Sequence, residues 1–463
     1  MKLKFIVLKR GIFMSKSTTK DMTVGSPMKL ILGFAVPLLF GMLFQQIYSL
    51  VDTIIVGQFL GVKALAAVGA TGSINFLIIG FCNGMCSGFA LPVAQRFGAK
   101  DEDGLRKYIG NSAVLSIILG LAITIVTTLF CRPILELMST PPDIIDLAYN
   151  YIVVIFIGIP AIILYNLLSG YIRSLGDAVT PVIFLVLAAC LNIGLDLLFI
   201  VVFHWGVFGA SFATVISQGI SGLLCLFLIM KKFTIMHLKR SDWKLDSAYV
   251  RVLLTMGLPM GLQYSITAIG SVILQAAVNP LGSGAVAAMT AATKISCFIV
   301  CPFDALGSTM ATYGGQNVGA GRLERLGKGL KASTLLGLIY SLIALAILYF
   351  FGEQLNLLFV SASEVEVITN SQKFLIANAL FYFPLALVNI VRFLIQGMGF
   401  SGFAMLAGLC EMVARTLVGL VFVPVFGFSA ACFASPTAWI FADAFLIPAF
   451  FYTRNKLKKR WQD

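Results

Sequence analysis

Four polar residues lie inside long apolar stretches of this chain, at spacings that could bind a cation. Asn192 and Asp196 are four residues apart, so both side chains lie on one face of a helix. Asp52 lies in an earlier apolar stretch, and Thr214 lies in the stretch after Asp196. A charge in the middle of a membrane costs about 2.5–3.5 kcal/mol on insertion scales, so each carboxylate needs a partner or a function.

Two kinds of chemistry fit these groups. Two carboxylates that lie close together in a low dielectric cannot both ionise easily, so the pair should titrate as a unit and could carry H⁺. Two carboxylates, an amide oxygen and a hydroxyl also form an all-oxygen set that suits a hard cation such as Na⁺. The choice between H⁺ and Na⁺ stays open, and hydrogen bonds that only pack helices together are the alternative role.

Neighbouring polar residues extend this candidate site. Tyr48 and Gln45 precede Asp52 by four and seven residues on one helical face, and Gln218 follows Thr214 by four. At a rise of about 1.5 Å per residue, Asp196 and Thr214 reach nearly the same depth of the membrane. Asp52 shares that depth if Pro37 kinks or tilts its helix, so Pro37 is a predicted hinge. Gln45, Tyr48, Gln218 and Tyr151, which lies in the fourth apolar stretch, complete the predicted pocket.

The composition indicates which elements hold these residues. Of the 463 residues, 59% are hydrophobic and 11% are charged, and the mean hydropathy is +0.96. Soluble domains have roughly 25% charged residues, so the chain is predicted to be an all-α polytopic membrane protein and not a nucleic-acid-binding protein. The apolar runs are continuous and do not alternate, which excludes a β-barrel. The twelve predicted spans are 29–55, 64–90, 108–131, 147–169, 181–203, 208–230, 252–278, 284–311, 332–352, 372–395, 403–425 and 428–452.

The basic residues predict the orientation. With the N-terminus inside, the inner segments hold 28 of the 33 Lys and Arg residues, Arg392 among them. The outer segments hold only Lys63, Arg132 and Lys373. Cytoplasmic segments of membrane proteins are enriched in Lys and Arg, so both termini are predicted to be cytoplasmic in a multi-pass inner-membrane protein. The net charge of +13 therefore indicates topology and not an acidic partner. Whether translation starts at Met1 or at Met14 stays open.

The two halves of the chain resemble each other. LGVKALAAVGA (60–70) matches LGSGAVAAMTA (281–291), and AQRFGA (94–99) matches GQNVGA (315–320) at the same offset along the chain. Pro37 aligns near Pro259, and 206–213 resembles 427–434. The duplication predicts two six-helix lobes related by a pseudo-two-fold axis along the membrane normal, with a cavity between them, which is a transporter architecture. The predicted divisions are a lead-in (1–28), the first lobe (29–230), a linker (231–251), the second lobe (252–452) and a basic tail (453–463).

Several of these segments also carry a family resemblance. Pro37, QQIYSLVDT (45–53), Gly57 with ALAAVG (64–69), and AQRFGA (94–99) with its counterpart make the chain similar to the multidrug and toxic compound extrusion (MATE) family over about residues 25–455. The resemblance implies rocker-switch alternating access and export of organic compounds, driven by inward flow of H⁺ or Na⁺. It also implies that Asp52, Asn192, Asp196 and Thr214 form the cation site. The acidic residues that some members carry in the second half are absent near Thr267 and Leu385, which concentrates coupling in the first lobe.

The alternative function is that of a lipid-linked oligosaccharide flippase of the same superfamily. Such a flippase should carry several intramembrane arginines. Only one arginine, Arg415, is assigned to the interior of a span, and it is predicted to pair with Glu411. No nucleophile, nucleotide or metal motif indicates an enzyme, and the nine cysteines favour neither disulfides nor zinc. We expect no cofactor beyond the coupling ion, and a monomer whose partners are small organic substrates and membrane lipid. The substrate and the roles of Lys294, Asp304 and Asp443 stay open.

Overall fold

The computed structural model describes residues 19–138 and 140–461, and every regular element in this part of the chain is a helix. Most of the predicted lead-in, including both Met1 and Met14, lies outside the described residues. The first half contains α1 (Pro27–Leu60), α2 (Val62–Ala70), α3 (Gly72–Gly98), α4 (Glu102–Leu129), α5 (Cys131–Leu137), α6 (Ile145–Ile157), α7 (Ile159–Ser174), α8 (Val179–Asp196) and α9 (Gly206–Lys232).

The second half follows a linker with two short 3₁₀ turns, Thr234–Met236 and Arg240–Trp243. Its helices are α10 (Ser247–Val278), α11 (Ser283–Gly319), α12 (Glu324–Asn356), α13 (Val365–Ala379), α14 (Tyr382–Gly397), α15 (Ser401–Leu417), α16 (Val423–Phe426), α17 (Phe428–Cys432) and α18 (Ala434–Arg460). A third 3₁₀ turn, Asn279–Leu281, follows α10, and π-helical turns follow α8 (Leu197–Val202) and α15 (Val418–Phe422).

Twelve segments of the described chain are long and apolar enough to cross a membrane. Ten are single helices, and two are helix pairs, α6 with α7 and α13 with α14, bent by 47° and 52°. The predicted number of spans and the all-α polytopic fold are confirmed. Two predicted starts are wrong, because 62–70 and 428–432 form the separate helices α2 and α17. Hydropathy does not register these breaks, since the residues on both sides of each break are apolar.

The backbone carries the same duplication as the sequence. Gly61 and Gly282 have φ of 84° and 101°, and Gly206 and Gly427 have φ of 60° and 61°. Both pairs are separated by the offset that relates the sequence repeats, and glycine adopts such positive φ values at little cost. The two π-helical turns, which begin at Leu197 and Val418, are separated by the same offset. The repeat found in the sequence therefore corresponds to a repeated backbone conformation.

The two halves meet along α3 and α10. A Cβ atom added to Gly88 would lie 2.6 Å from the Cα of Gly257, and one added to Gly84 would lie 2.5 Å from the carbonyl oxygen of Met260. Small residues let two helix backbones approach this closely within a membrane. The predicted lobe boundaries at residues 230 and 252 stay a prediction.

Further bonds join the halves at the end where α3 and α11 finish. The side-chain amide of Gln95 donates to the carbonyl of Gly397 at 2.9 Å, and that of Gln316 donates to the carbonyl of Ser174 at 2.8 Å. The Met22 N–H donates to the Gln316 Oε1 at 2.9 Å, and Met22 is 1% exposed. This end of the molecule is closed.

The opposite end is more open. A cleft of about 410 Å³ separates the start of α3 from the second half of α10. Gly72, Ser73 and Phe76 line it on one side. Ser271 and Gln275 line it on the other. The halves are thus in contact at one end and apart at the other.

Candidate cation site

The predicted cation-site residues come from three helices of the first half that pack side by side. α1 lies against α8, and α8 lies against α9. Asp52 lies on α1, Asn192 and Asp196 lie in the last two turns of α8, and Thr214 lies on α9. α8 passes into a π-helical turn directly after Asp196, and such turns are frequent at functional sites because they redirect the side chains around them.

The two carboxyl groups face each other. Asp52 and Asp196 lie within hydrogen-bonding reach, and Asp196 is completely buried. Each also has an oxygen, Oδ1, that is buried without a hydrogen-bond partner. No Lys or Arg of the described residues forms an ion pair with either carboxylate. A pair of adjacent buried carboxylates without a counter-charge needs a shared proton or a bound cation.

Asn192 and Thr214 close the other side of this pair. Asn192 is 1% exposed, and its amide is best satisfied when the nitrogen donates to Asp196 Oδ2 at 3.1 Å. In the same orientation its oxygen accepts from the backbone N–H of Thr214 at 3.1 Å. The i,i+4 spacing of Asn192 and Asp196 therefore places both on the face that meets α1 and α9.

The outer members of the predicted pocket divide into two groups. Tyr48 lies near Thr214 and Asp52, and the buried Tyr151 lies close enough to Asp52, Tyr48 and Asp196 to interact electrostatically. Gln218 lies one turn after Thr214, with a buried oxygen that has no partner in the described part of the chain. Gln45 is exposed, and no hydrogen bond among the described residues joins it to the cluster.

Pro37 lies within the continuous helix α1, so its role as a hinge stays a prediction. Proline has no N–H and cannot bond the carbonyl four residues earlier, which is that of Gly33. The Lys20 ammonium group donates to this carbonyl at 3.4 Å. Lys20 carries no sequence signal for this role, because it precedes α1 and its partner is thirteen residues away.

A second buried polar cluster lies in the other half and requires a correction. The predicted position of Arg392 in an inner segment is wrong, because Arg392 lies within α14, is 5% exposed and forms an ion pair with Glu411. The predicted partner Arg415 also contacts Glu411, at 3.6 Å. Arg392 falls inside the predicted span 372–395, and that position was the signal that could have found it. Two buried arginines, not one, therefore share Glu411.

Asp304 and Asp443 lie close enough to Arg392 to interact electrostatically, whereas Lys294 is not joined to this cluster. Asp304 accepts a hydrogen bond from Asn389 at 3.2 Å, and Asp443 is 7% exposed with one unpartnered oxygen. Lys294 is exposed, and no ion pair of the described residues joins it to either acid.

Comparisons with known proteins agree with this architecture. The MatE family model matches residues 37–198 and 259–431. The chain is 30% identical over 338 residues to "Probable multidrug resistance protein YoeA" of Bacillus subtilis (strain 168), covering 72% of this chain and 73% of that protein. It is 24% identical over 395 residues to the "FAD transporter" of Shewanella oneidensis, covering 84% and 86% of the two chains.

A solved structure has the same fold. It is titled "Outward-facing conformation of a multidrug resistance MATE family transporter of the MOP superfamily", and it is 25% identical with a TM-score of 0.88. The match covers 96% of this chain and all of that chain.

Proposed function

This chain belongs to the MatE family of transporters, and we propose that it is a cation-coupled antiporter that exports amphipathic or cationic organic compounds. The observation that carries the proposal is the contact between Asp52 and Asp196, each with a buried oxygen that has no partner. A transporter that binds no cation would gain nothing from two uncompensated buried acids.

The coupling step follows from the electrostatics of this pair. Without a cation, two ionised carboxylates repel each other across the α1–α8 contact, and a proton or Na⁺ removes that repulsion. A cation therefore stabilises the arrangement in which α1 and α8 pack closely. It shifts the equilibrium between two conformations only to the extent that it binds this arrangement more tightly than the other. The hydroxyls of Thr214 and Tyr48 supply additional oxygen ligands, and the Asn192 amide nitrogen donates to Asp196, so the set suits either H⁺ or Na⁺.

We propose rocker-switch alternating access for the movement of the substrate. The halves are in contact where α3 and α11 finish, and a cleft separates α3 from α10 at the opposite end. Moving Arg392 from the inner count leaves 28 − 1 = 27 of 33 basic residues in inner segments. This distribution supports cytoplasmic termini in the inner membrane, with the closed end facing the cytoplasm.

The substrate class has two candidates. The name of the Bacillus relative favours multidrug export. The flippase alternative gains some support from the second buried arginine, Arg392, although Glu411 offsets one of the two positive charges. We favour the export of organic compounds, because Glu411 contacts both arginines and Asp443 and Asp304 lie near Arg392, so neither arginine is free for a pyrophosphate.

The test is ethidium efflux from proteoliposomes that contain the purified protein, under an imposed H⁺ gradient and separately under an imposed Na⁺ gradient. Asp52→Asn and Asp196→Asn should each reduce gradient-driven efflux at least about tenfold. Glu353→Gln, an exposed acid on α12, is the matched control and should leave efflux unchanged. Unchanged efflux in Asp52→Asn would disprove its coupling role. Transport of a fluorescent polyprenyl-linked sugar without any cation dependence would favour the flippase instead.

A further inference from the structure

A groove in the first half faces away from the cleft between the halves. It encloses about 580 Å³ between α4, α7 and α9, and the linker turns close one end of it. Its lining is almost entirely apolar and includes Ile117, Leu121, Leu164, Leu226, Met230 and Trp243. Ile117, Leu121 and Met230 are 57%, 50% and 64% exposed, so the groove opens sideways toward the surrounding membrane.

The groove is separate from the candidate cation site. Leu226 and Met230 follow Thr214 by twelve and sixteen residues on the same helix, which is roughly 18–24 Å at the rise of an α-helix. The part of α9 that lines the groove is the part that leads into the basic linker. The groove therefore lies in the membrane leaflet on the linker side.

One polar group inside the groove has no partner. Ser116 lines it and is 3% exposed, and its hydroxyl makes no hydrogen bond among the described residues. Ser112, one turn earlier on α4, bonds both the Tyr108 carbonyl and the Tyr171 hydroxyl. A buried hydroxyl without a partner is costly, so Ser116 indicates a ligand with an oxygen acceptor.

The mouth of the groove is basic, and one of its cations, Lys239, also lies 3.7 Å from the carboxylate of Asp103 on α4. Lys231 follows the lining residue Met230, Lys239 and Arg240 follow Leu238, and Lys244 follows Trp243. Residues 231–246 contain five Lys and Arg against two Asp, a net charge of 5 − 2 = +3. One of these acids, Asp242, is buried and accepts from the backbone N–H of Lys239 at 2.8 Å.

The mouth is also held in place. The Asn111 side chain on α4 accepts from the backbone N–H of Asp246 at 2.8 Å and donates to the carbonyl of Lys244 at 3.3 Å. The basic linker is therefore fixed over the end of the groove. Trp243, which is 47% exposed, lies at the mouth in the position that tryptophan favours at a membrane interface.

We propose that this groove binds one anionic glycerophospholipid, with an acyl chain between α4 and α9 and the phosphate at the basic mouth. The apolar lining fits the chain, the ester oxygens supply acceptors for Ser116, and the positive linker fits the headgroup. Juxtamembrane basic segments attract anionic lipids in the same way. The lipid would hold the linker, and with it the joint between the two halves, against the first half.

The test uses native mass spectrometry of the purified full-length protein, incubated with equal amounts of dioleoyl-phosphatidylglycerol and a phosphatidylcholine of different mass. The wild-type protein should retain one phosphatidylglycerol in preference to phosphatidylcholine. Ala113→Phe places a ring in the groove and should reduce this occupancy at least about tenfold. Ile118→Phe, on the same helix but outside the groove, is the matched control and should retain the lipid.

A second pair of variants tests the headgroup contact without changing the core. Arg240→Gln/Lys244→Gln should lower the preference for phosphatidylglycerol roughly 30-fold, because it removes two exposed cations near the anionic headgroup. The control, Lys328→Gln/Lys331→Gln, removes two exposed cations from α12 and should keep the preference. Equal retention of the two lipids by the wild-type protein would overturn the proposal. So would equal occupancy in Ala113→Phe and Ile118→Phe, or displacement of the lipid by ethidium.

Discussion

Gln95 and Gln316 occupy equivalent positions of the two repeats, and each donates its side-chain amide to a carbonyl of the opposite half. Their acceptors, Gly397 and Ser174, also correspond, because each lies at the end of the helix that completes a bent span. The halves are therefore joined by two reciprocal hydrogen bonds related by the pseudo-symmetry.

Removing both amides should loosen this closed end. The two side chains make three hydrogen bonds across the halves, since Gln316 also accepts from the Met22 N–H, and each bond contributes about 0.5–1.5 kcal/mol. Gln95→Ala/Gln316→Ala should therefore raise the open population at this end by roughly tenfold to more than a thousandfold. Hydrogen–deuterium exchange of residues 92–99 and 313–320 should become faster. Gln275→Ala is the control, since Gln275 bonds only Asn279 on its own side of the cleft. Unchanged exchange in the double variant would mean that these bonds do not hold the end closed.

The glycines beside these residues should be intolerant of a side chain. A Cβ atom at Gly319 would lie 1.7 Å from the carbonyl oxygen of Gln95, so α3 and α11 would have to separate. We expect Gly319→Ala to lower the free energy of unfolding by about 1–3 kcal/mol, measured by thermal unfolding in detergent. Gly402→Ala, on α15 with no atom within 4 Å of the added Cβ, should be neutral or slightly stabilising. Equal melting temperatures for the two variants would contradict the close contact.

The bond from Lys20 to the Gly33 carbonyl predicts a specific coupling with Pro37. Lys20→Met should cost about 0.5–1.5 kcal/mol in the natural sequence, because it leaves the carbonyl without its donor. In a Pro37→Ala background the restored backbone N–H bonds Gly33 instead, and the same change should cost almost nothing. A double-mutant cycle of unfolding free energies measures this difference. A cost of Lys20→Met that is independent of residue 37 would show that Lys20 acts elsewhere.

Glu411 should be more sensitive to substitution than either of its arginine partners. Glu411→Gln leaves two buried positive charges facing each other, and an unpaired buried charge costs about 3–5 kcal/mol. Arg415→Met leaves the pair of Arg392 and Glu411 intact and should cost less. Glu136→Gln, in the exposed pair with Arg132, should change stability by at most about 1 kcal/mol. Equal losses for Glu411→Gln and Arg415→Met, measured by thermal unfolding, would show that Arg392 does not depend on Glu411.

Much of the fold follows from local patterns. Hydropathy is summed over a window of about one span, so the twelve segments were readable without tertiary contacts. The constant offset between matching segments predicted the repeat, which reappears in the backbone at Gly61 and Gly282. Helical spacing predicted that Asn192 and Asp196 share one face of a helix, and α1 and α9 both pack against that helix. The breaks at Thr71 and Phe433, which fall inside predicted spans, were missed, because a hydropathy window averages over a turn of a few residues.

The sequence by itself determined the set of apolar spans, their duplication and the few acids that lie within them. These features depend only on the local composition of the chain and on the spacing of similar segments along it. Only the tertiary structure decided the partners: that Arg392 lies beside Glu411, that Lys20 bonds Gly33, and that Gln95 reaches the opposite half. These contacts join residues on different elements, up to about 300 positions apart. Hydrogen bonds depend on distances of a few tenths of an ångström, and those distances are set only when the helices pack.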